Sequence, residues 1–416
     1  MPKEGSTMEG QEPVEEAKYD ETGCNYTNYK GLVMAGYQGW FSAEGDKSNN
    51  GWTHYGQNQK FEPGSTCVDF WPDVSEYDKT YETAFNLPNG EKAHVFSPQD
   101  ESTVDLHFKW MKEYGLHGVF VQRFLVTVKN QRQNTSKVFE NALKAANKHD
   151  RAICVMYDLS GSKGSEFNLL INDFEQLIRD YELFNNKSNP TYLRHNGKPL
   201  IAIWGVGFND HREYTIQDVA NLVKELRGNN NKVSIMLGVP YFWRTLDRDA
   251  ENNRQLHELI KTVDIIMPWA VGRYSLDNYD NFVPQTLLKD LEWCKENEVD
   301  YIPLAFPGFS WGNLLKDASL YDEIPRHKGE FLWQQIAGAY DAGAQSLYLA
   351  MFDEIDEGTA LFKCLRQNEV PENAPGFKFV GIEDNLPNDH YLWLSGEAAK
   401  WFAGDKNHST NMPVRE

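Results

Sequence analysis

The sequence lacks features that would each point to a definite class of protein. No apolar run reaches the roughly 20 residues that a transmembrane helix needs. Basic residues are in deficit, because 41 lysines and arginines face 61 aspartates and glutamates, and the net charge is −20. Nucleic acids and anionic membranes are bound by basic surfaces. We therefore expect neither nucleic acid nor membrane lipid as a partner.

Cysteine is also scarce, with five residues in a chain of 416. An odd number cannot all be paired within one chain, and no two cysteines have the Cys-x-x-Cys spacing of zinc sites. The sequence therefore indicates no disulfide framework and no zinc site. We expect no metal and no cofactor.

Apolar, β-branched runs alternate with amphipathic helical stretches along most of the chain, a pattern typical of βαβ units and a parallel sheet. The predicted strands are 32–40, 118–124, 152–158, 199–204, 233–240, 264–269, 301–306 and 346–352. The predicted helices are 102–114, 136–148, 166–184, 216–226, 253–263, 284–297, 329–342 and 390–402. Eight such repeats predict an α/β fold that is a single (β/α)₈ TIM barrel with long loops at its C-terminal face.

A doubly wound open sheet is the alternative architecture. The first strand argues against it, because it ends in the crowded aromatic sequence Gly36-Tyr37-Gln38-Gly39-Trp40 rather than in a glycine-rich phosphate-binding loop. The connection from about 41 to 99 is long, which is typical of functional loops, and it carries Trp52, His54, Tyr55, Trp71 and His94.

We divide the chain at residue 28. Residues 1–28 are polar and acidic and are predicted to be a disordered leader, whereas 29–416 are predicted to form the catalytic barrel. The leader carries no signal peptide, and it would look the same if a targeting segment had been removed. A monomer is expected.

Aromatic and polar side chains recur where the predicted strands end. Because the ends of parallel barrel strands share one rim, these side chains are candidates for a ligand pocket with aromatic walls and a few polar groups. The substrate-binding candidates are Tyr37, Gln38, Trp40, Gln122, Arg123, Tyr157, Asp158, Trp204, Trp243, Arg244, Trp269, Tyr274, Trp311 and Asp353. Sugar rings pack well on such aromatic walls.

The last predicted strand ends in a cluster of carboxylates, Asp353, Glu354, Asp356 and Glu357. Three interpretations are open. The cluster could be a solvated acidic turn or a calcium site, although it lacks the spacing of an EF-hand loop. Alternatively it supplies paired catalytic carboxylates, which glycoside hydrolysis needs because one carboxyl protonates the leaving oxygen while another acts as base or nucleophile.

The segment from Phe352 to Thr359, Phe-Asp-Glu-Ile-Asp-Glu-Gly-Thr, resembles the end of the last barrel strand in glycoside hydrolase family 99, the endo-α-mannosidases and endo-α-mannanases. Members of that family carry a Glu, two intervening residues and Glu-Gly-Thr. The sequence Tyr37-Gln38-Gly39-Trp40-Phe41 stands where the family has a Tyr-Pro-Trp-Tyr-like run. Asp353 and Ile355 replace the family's Asn and Trp, so the resemblance indicates a divergent member.

The resemblance implies a retaining, endo-acting glycoside hydrolase that acts on α-linked glycans such as α-mannans. In this family the 2-hydroxyl of the substrate attacks the anomeric carbon. By matching position, Glu354 would deprotonate that hydroxyl, and Glu357 would act as general acid and then as base. Asp353 and Asp356 would support the glutamates or face solvent.

The resemblance further implies an oligosaccharide or polysaccharide substrate and a periplasmic, cell-surface or secreted location. The alternative function is a carbohydrate-binding protein on a glycosidase-like barrel that does not hydrolyse its ligand. The presence of both Glu354 and Glu357 favours the enzyme.

Overall fold

The computed structural model describes residues 22–229 and 232–415, and within them eight parallel strand positions close into a (β/α)₈ barrel. The barrel strands are β1 (Val33–Tyr37), β4 (Gly118–Phe124), β5 (Ala152–Asp158), β7 (Lys198–Trp204), β8 (Ser234–Pro240), β9 (Ile265–Trp269), β10 (Asp300–Tyr301), β11 (Leu304–Ala305) and β12 (Leu347–Leu349). The short strand β6 (Arg194–His195) pairs antiparallel with β7.

The ring closes through one interrupted strand. β10 pairs with β9, and β11 pairs with β12, which in turn pairs with β1. Only Ile302 and Pro303 separate β10 from β11, and both keep the ladder continuous: the Ile302 N–H donates to the Ile266 carbonyl at 2.9 Å, and the Pro303 carbonyl accepts from the Tyr348 N–H at 3.0 Å. The predicted barrel is therefore confirmed, and the open sheet is excluded.

Helices cover the outside of the barrel. They are α1 (Glu101–Tyr114), α2 (Leu125–His149), α3 (Phe167–Asp180), α4 (Ile216–Arg227), α5 (Gln255–Ile260), α6 (Tyr279–Phe282), α7 (Leu288–Glu296), α8 (Gly312–Leu315), α9 (Glu330–Asp341) and α10 (His390–Phe402). Their apolar faces follow helical spacing, as in α3, which buries Phe167, Leu170, Phe174 and Leu177. No helix in the described part of the chain is both long and apolar enough to span a membrane.

Side chains alternate between two buried layers along each barrel strand, as the two-residue period of a strand requires. Met34, Phe120 and Tyr348 belong to the cluster inside the barrel. Their neighbours Val33 and Val119 belong to the layer between the strands and the helices. This alternation decides which residue at each strand end can reach a ligand in the barrel mouth.

The structure departs from the predicted elements in several places. The connection 41–99 contains an antiparallel hairpin, β2 (Tyr81–Asn86) and β3 (Lys92–Val95), that the sequence did not predict. Helix α2 begins at Leu125 rather than at 136, with a non-helical residue at Gln131. Strand β12 ends at Leu349 instead of 352, because the chain leaves the sheet to form the acidic turn. Most of the predicted leader lies outside the described residues, so the division at residue 28 stays a prediction.

Candidate active site

The four carboxylates lie at the C-terminal end of β12, in the mouth of the barrel. Asp353 is fully buried, and its two oxygens accept hydrogen bonds from the backbone N–H groups of Gln38 at 2.7 Å and Gly39 at 2.8 Å. Gly39 has φ of 58°, a left-handed conformation that favours glycine. Burial raises the pKa of Asp353 to about 7, although these two donors oppose the rise. Asp353 therefore joins β12 to β1, which corrects its prediction as a substrate contact.

Glu354 is 3 % exposed, and both of its carboxyl oxygens have partners. The amide of Gln38 donates to Oε1 at 2.5 Å, and the hydroxyl of Thr359 donates to Oε2 at 2.5 Å. Burial raises the pKa of Glu354 well above its usual range, and the negative charges of Glu357 and Asp356 raise it further. The carboxyl is thus rigidly held and electrostatically linked to Glu357.

Glu357 differs from Glu354 in its surroundings. Its side chain is partly exposed, and its carboxyl makes no hydrogen bond or ion pair with any described residue. Burial raises the pKa of Glu357 to about 7, and the charge of Asp356 adds to the effect. A carboxyl that is accessible and protonated near neutral pH is suited to donate a proton to a ligand.

Asp356 is buried and bonds to a histidine from the long connection. Its Oδ2 lies 3.1 Å from Nδ1 of His54, while Oδ1 is buried without a hydrogen-bond partner in the described part of the chain. The imidazole of His54 stacks on the indole of Trp40, with ring centroids 3.9 Å apart and planes 5° from parallel. The connection 41–99 thereby contributes directly to the site.

A buried arginine fixes the backbone that follows Glu357. Arg326 donates to the carbonyls of Gly358 at 2.9 Å and Ala360 at 2.8 Å. Its guanidinium lies 4.1 Å from the ring centroid of Phe70 and 4.5 Å from that of Tyr391. These contacts hold the acidic turn to the long connection on one side and to α10 on the other.

Glycine is required immediately after Glu357. Gly358 has φ of 66°, and a Cβ at this position would lie 2.8 Å from the backbone nitrogen of Ser310. The same Ser310 N–H donates to the carbonyl of Glu357 at 3.0 Å. The close approach of the Ser310 backbone therefore explains why a glycine follows Glu357.

The barrel interior adds polar groups near the glutamates. The amide of Gln122 donates to the hydroxyl of Tyr348 at 3.2 Å, and Oε1 of Gln122 is buried without a partner among the described residues. Asp158, at the end of β5, accepts from the backbone N–H of Ser160 at 2.7 Å, and burial raises its pKa to about 6. Both are positioned at the C-terminal ends of barrel strands, as predicted.

Three tryptophans stand at other strand ends. The rings of Trp204 and Trp269 meet edge to face with centroids 5.4 Å apart, and the indole nitrogen of Trp204 is buried without a hydrogen-bond partner in the described residues. Trp311 follows β11 and donates from its indole to Glu323 at 2.7 Å. These rings provide apolar surface around the mouth.

A cavity of about 270 Å³ is lined by residues that bond to the acidic turn, although neither Glu354 nor Glu357 is among its lining residues. Its lining includes Gln38, which bonds to Glu354, and His54, which bonds to Asp356. Trp40 and Gln122 line it as well. Two of the side chains that line this cavity, Gln38 and His54, are therefore hydrogen-bonded to the acidic turn.

Six of the predicted substrate contacts lie elsewhere, which corrects the prediction for them. Five are buried with partners away from the cavity, and Arg244 lines a separate cavity formed by residues that follow β8 and by residues 282–290. Their hydrogen bonds are Tyr37 to His107 (2.9 Å), Arg123 and Tyr157 to Asp173 (2.5 and 2.6 Å), Trp243 and Arg244 to Asp290 (3.1 and 2.6 Å), and Tyr274 to the Leu304 carbonyl (3.4 Å). Most of them occupy positions whose side chains point towards the helices.

The arrangement does not resemble a metal centre. No group of three or more His, Cys, Asp or Glu side chains within the described ranges is placed to hold a metal ion. His54, Thr359 and Arg326 were not predicted as site residues, although Thr359 belongs to the Glu-Gly-Thr motif. Only the length of the connection 41–99 signalled that one of its residues would reach the site.

No protein-family model matches the chain, and no curated protein sequence matches it. Two solved structures of a GH99 endo-alpha-mannosidase from Bacteroides thetaiotaomicron are similar to it, each with a TM-score of 0.64 and 14 % identity over 90 % of this chain and 98 % of that chain. A protein described as glycoside hydrolase-like has a TM-score of 0.53 and 12 % identity over 79 % of this chain and 94 % of that one. The resemblance to family 99 is thus confirmed at the level of the fold.

Proposed function

We propose that this chain is a retaining glycoside hydrolase that acts on α-linked glycans, with α-mannan-like substrates favoured and cleavage within the glycan chain. The observation that carries the proposal is the pairing of two dissimilar glutamates on one turn. Glu354 is buried and fixed by two donors, whereas Glu357 is accessible and has a pKa of about 7. Two carboxyls in different environments are what acid and base roles require.

In the first step Glu354 accepts the proton of the sugar 2-hydroxyl while O2 attacks the anomeric carbon. Glu357 gives its proton to the glycosidic oxygen, and the bond between that oxygen and the anomeric carbon breaks. In the second step Glu357 removes a proton from water, whose oxygen attacks the anomeric carbon. The bond between that carbon and O2 breaks, and Glu354 returns its proton to O2. Two inversions at the same carbon retain its configuration.

The short separation of the glutamates in sequence favours this scheme over direct inversion. Inverting enzymes hold their carboxyls roughly 6.5–9.5 Å apart, on opposite faces of the sugar, to leave room for water. Glu354 and Glu357 come from one turn after one strand and therefore approach a sugar from similar directions.

The electrostatics place one demand on the scheme. Burial raises the pKa of both glutamates, and the negative charge of Glu357 raises that of Glu354 further, so the pair holds a proton readily in the free protein. The scheme requires this proton to lie on Glu357 when substrate is bound. A 2-hydroxyl that donates to Glu354 favours the ionised form of Glu354 and so keeps the proton on Glu357.

The test is hydrolysis of a panel of α-mannans and α-glucans, followed by the two glutamine variants. Glu357→Gln should lower turnover of unactivated glycans by about 10²–10⁴-fold, the usual effect of losing a general acid. It should impair a substrate with a good leaving group much less, because that group needs little protonation. Glu354→Gln should impair both substrates alike, and substrates without a free 2-hydroxyl should be inert.

The outcomes separate the possibilities. The reverse pattern between the two variants would exchange the roles of the glutamates. Near-wild-type turnover by both variants would refute the catalytic assignment. Binding of glycans by calorimetry without any product would instead support a carbohydrate-binding protein.

Export from the cytoplasm stays a prediction, and fractionation of the native host would decide it.

A further inference from the structure

His54 lies between an aromatic ring and a carboxylate at the edge of the 270 Å³ cavity. One face of its imidazole stacks on Trp40, and its Nδ1 is 3.1 Å from the buried Oδ2 of Asp356. The ring is therefore fixed both in its plane and in its rotation. Neither the resemblance to family 99 nor the scheme above assigns a role to this side chain.

The contact with Asp356 fixes where the proton of the neutral ring sits. A carboxylate can only accept hydrogen bonds, so Nδ1 must carry the hydrogen, and Nε2 is left with a lone pair. Nε2 makes no hydrogen bond within the described part of the chain. Because His54 lines the cavity, the unused lone pair on Nε2 can accept a hydrogen bond from a ligand hydroxyl.

We propose that Nε2 of His54 accepts a hydrogen bond from a hydroxyl of the sugar bound in this cavity, with Asp356 fixing the tautomer and Trp40 fixing the ring plane. The inference rests on the proposed function and adds a substrate-contacting residue to it. An Asp–His pair of this kind favours sugars that carry the hydroxyl over sugars that lack it, because a sugar without the hydroxyl leaves the lone pair of Nε2 without a donor.

The backbone at His54 offers a conservative way to remove the acceptor. His54 has φ of 63°, and asparagine is among the residues that tolerate this left-handed conformation best. The amide nitrogen of an asparagine can also replace Nδ1 as the donor to Asp356. His54→Asn therefore retains the backbone and the carboxylate contact but deletes Nε2.

The first experiment measures binding of α-linked mannotriose by calorimetry in the Glu357→Gln background, where turnover is suppressed. His54→Asn should weaken binding roughly three- to tenfold, the effect of one hydrogen bond to a neutral partner. The matched control is His94→Asn, because His94 lies in the same connection and bonds through Nδ1 to Thr80 at 3.0 Å. The control should bind like its parent.

The second experiment needs no ligand. Nitrogen-15 NMR of the wild-type imidazoles should show the Nδ1–H tautomer for His54, assigned by its loss in His54→Asn. Asp356→Asn should convert it to the Nε2–H tautomer, because the new amide donates to Nδ1.

Unchanged mannotriose affinity in a folded His54→Asn variant, or an Nε2–H tautomer in the wild type, would overturn the inference and leave the proposed function intact. If the wild-type protein neither bound nor cleaved any glycan of the panel, the proposed function would fail and this inference with it.

Discussion

Adjacent residues at the same strand ends have opposite surroundings on the two faces of the barrel wall. Arg123 and Tyr157 point to the helices, where both bond to the buried carboxylate of Asp173. Their neighbours Gln122 and Asp158 point into the barrel, where Gln122 keeps a buried oxygen without a partner among the described residues. On the helix side the carboxylate of Asp173 accepts hydrogen bonds from both Arg123 and Tyr157, although Nη1 of Arg123 is buried without a partner among the described residues. The helix side therefore holds a paired buried charge, and the inner side holds a neutral amide oxygen that is left unpaired.

This difference separates stability from function. A buried ion pair with its hydrogen bonds holds elements of the fold together, whereas an unpaired buried polar atom at a ligand cavity has a cost that is offset when a ligand supplies the missing partner. Changes on the helix side should therefore lower the free energy of unfolding and leave ligand contacts unaltered. Changes on the inner side should alter ligand contacts and leave the free energy of unfolding nearly unchanged.

The largest effect is expected at Asp173, which bonds to Arg123, Tyr157 and Arg132. Asp173→Ala leaves the guanidinium of Arg123 buried without its counter-charge, so the free energy of unfolding should fall by about 3–5 kcal/mol in urea titrations. Asp158→Asn is the matched change on the inner side and should alter stability by less than about 1 kcal/mol, because an asparagine oxygen can still accept from Ser160. Equal losses for the two variants would contradict the comparison.

A smaller and pH-dependent effect is expected at Glu357. Its pKa of about 7 in the folded protein exceeds the ordinary 4.5, so the folded state binds a proton more tightly than the unfolded state and loses stability as pH rises from 4.5 to 7. Glu357→Gln does not titrate, so it should be more stable than the wild type by about 1–3 kcal/mol at pH 8 and equal to it at pH 4. If Glu357→Gln were less stable than the wild type at pH 8, the ionised carboxylate of Glu357 would not destabilise the folded protein, and this prediction would be wrong.

The smallest effect is expected for a pair of tryptophans. Trp243→Phe removes the indole donor to the buried Asp290, so the free energy of unfolding should fall by about 1–2 kcal/mol without a change in glycan affinity. Trp204→Phe removes an indole nitrogen that has no partner in the described residues, so stability should change by less than about 0.5 kcal/mol while affinity weakens. Urea titration and calorimetry on both variants test this contrast.

The fold was largely readable from the sequence because its strands are apolar, β-branched runs between amphipathic helices. All eight predicted strands are present, and α10 has the predicted bounds. The hairpin β2–β3 was missed although Tyr81, Thr83 and Phe85 alternate with exposed residues, because its outward face is too polar to resemble a barrel strand. The local pattern of apolar residues was sufficient to predict strands that are buried on both faces. It was insufficient to predict a strand that is buried on one face only.

The site was readable only in part. Pairs such as Gln122 with Arg123 were predicted together, although the period of a strand allows only one member of each pair to face the barrel interior. That alternation was present in the sequence and could have removed Arg123 and Tyr157. His54 could not be found in this way, because its contact with Asp356 joins residues 302 positions apart and depends on how the long connection folds.

The position of Arg326 bears on how the protein can be shortened. Its guanidinium contacts Phe70 and Tyr391 while its hydrogen bonds hold the backbone of Gly358 and Ala360. Phe70 comes from the first loop of the barrel and Tyr391 from its last helix, so the acidic turn depends on parts of the chain more than 300 residues apart. A fragment that preserves the acidic turn must therefore keep both ends of the barrel, and we expect that trimming either the loop or α10 would disorder the turn even with every strand intact.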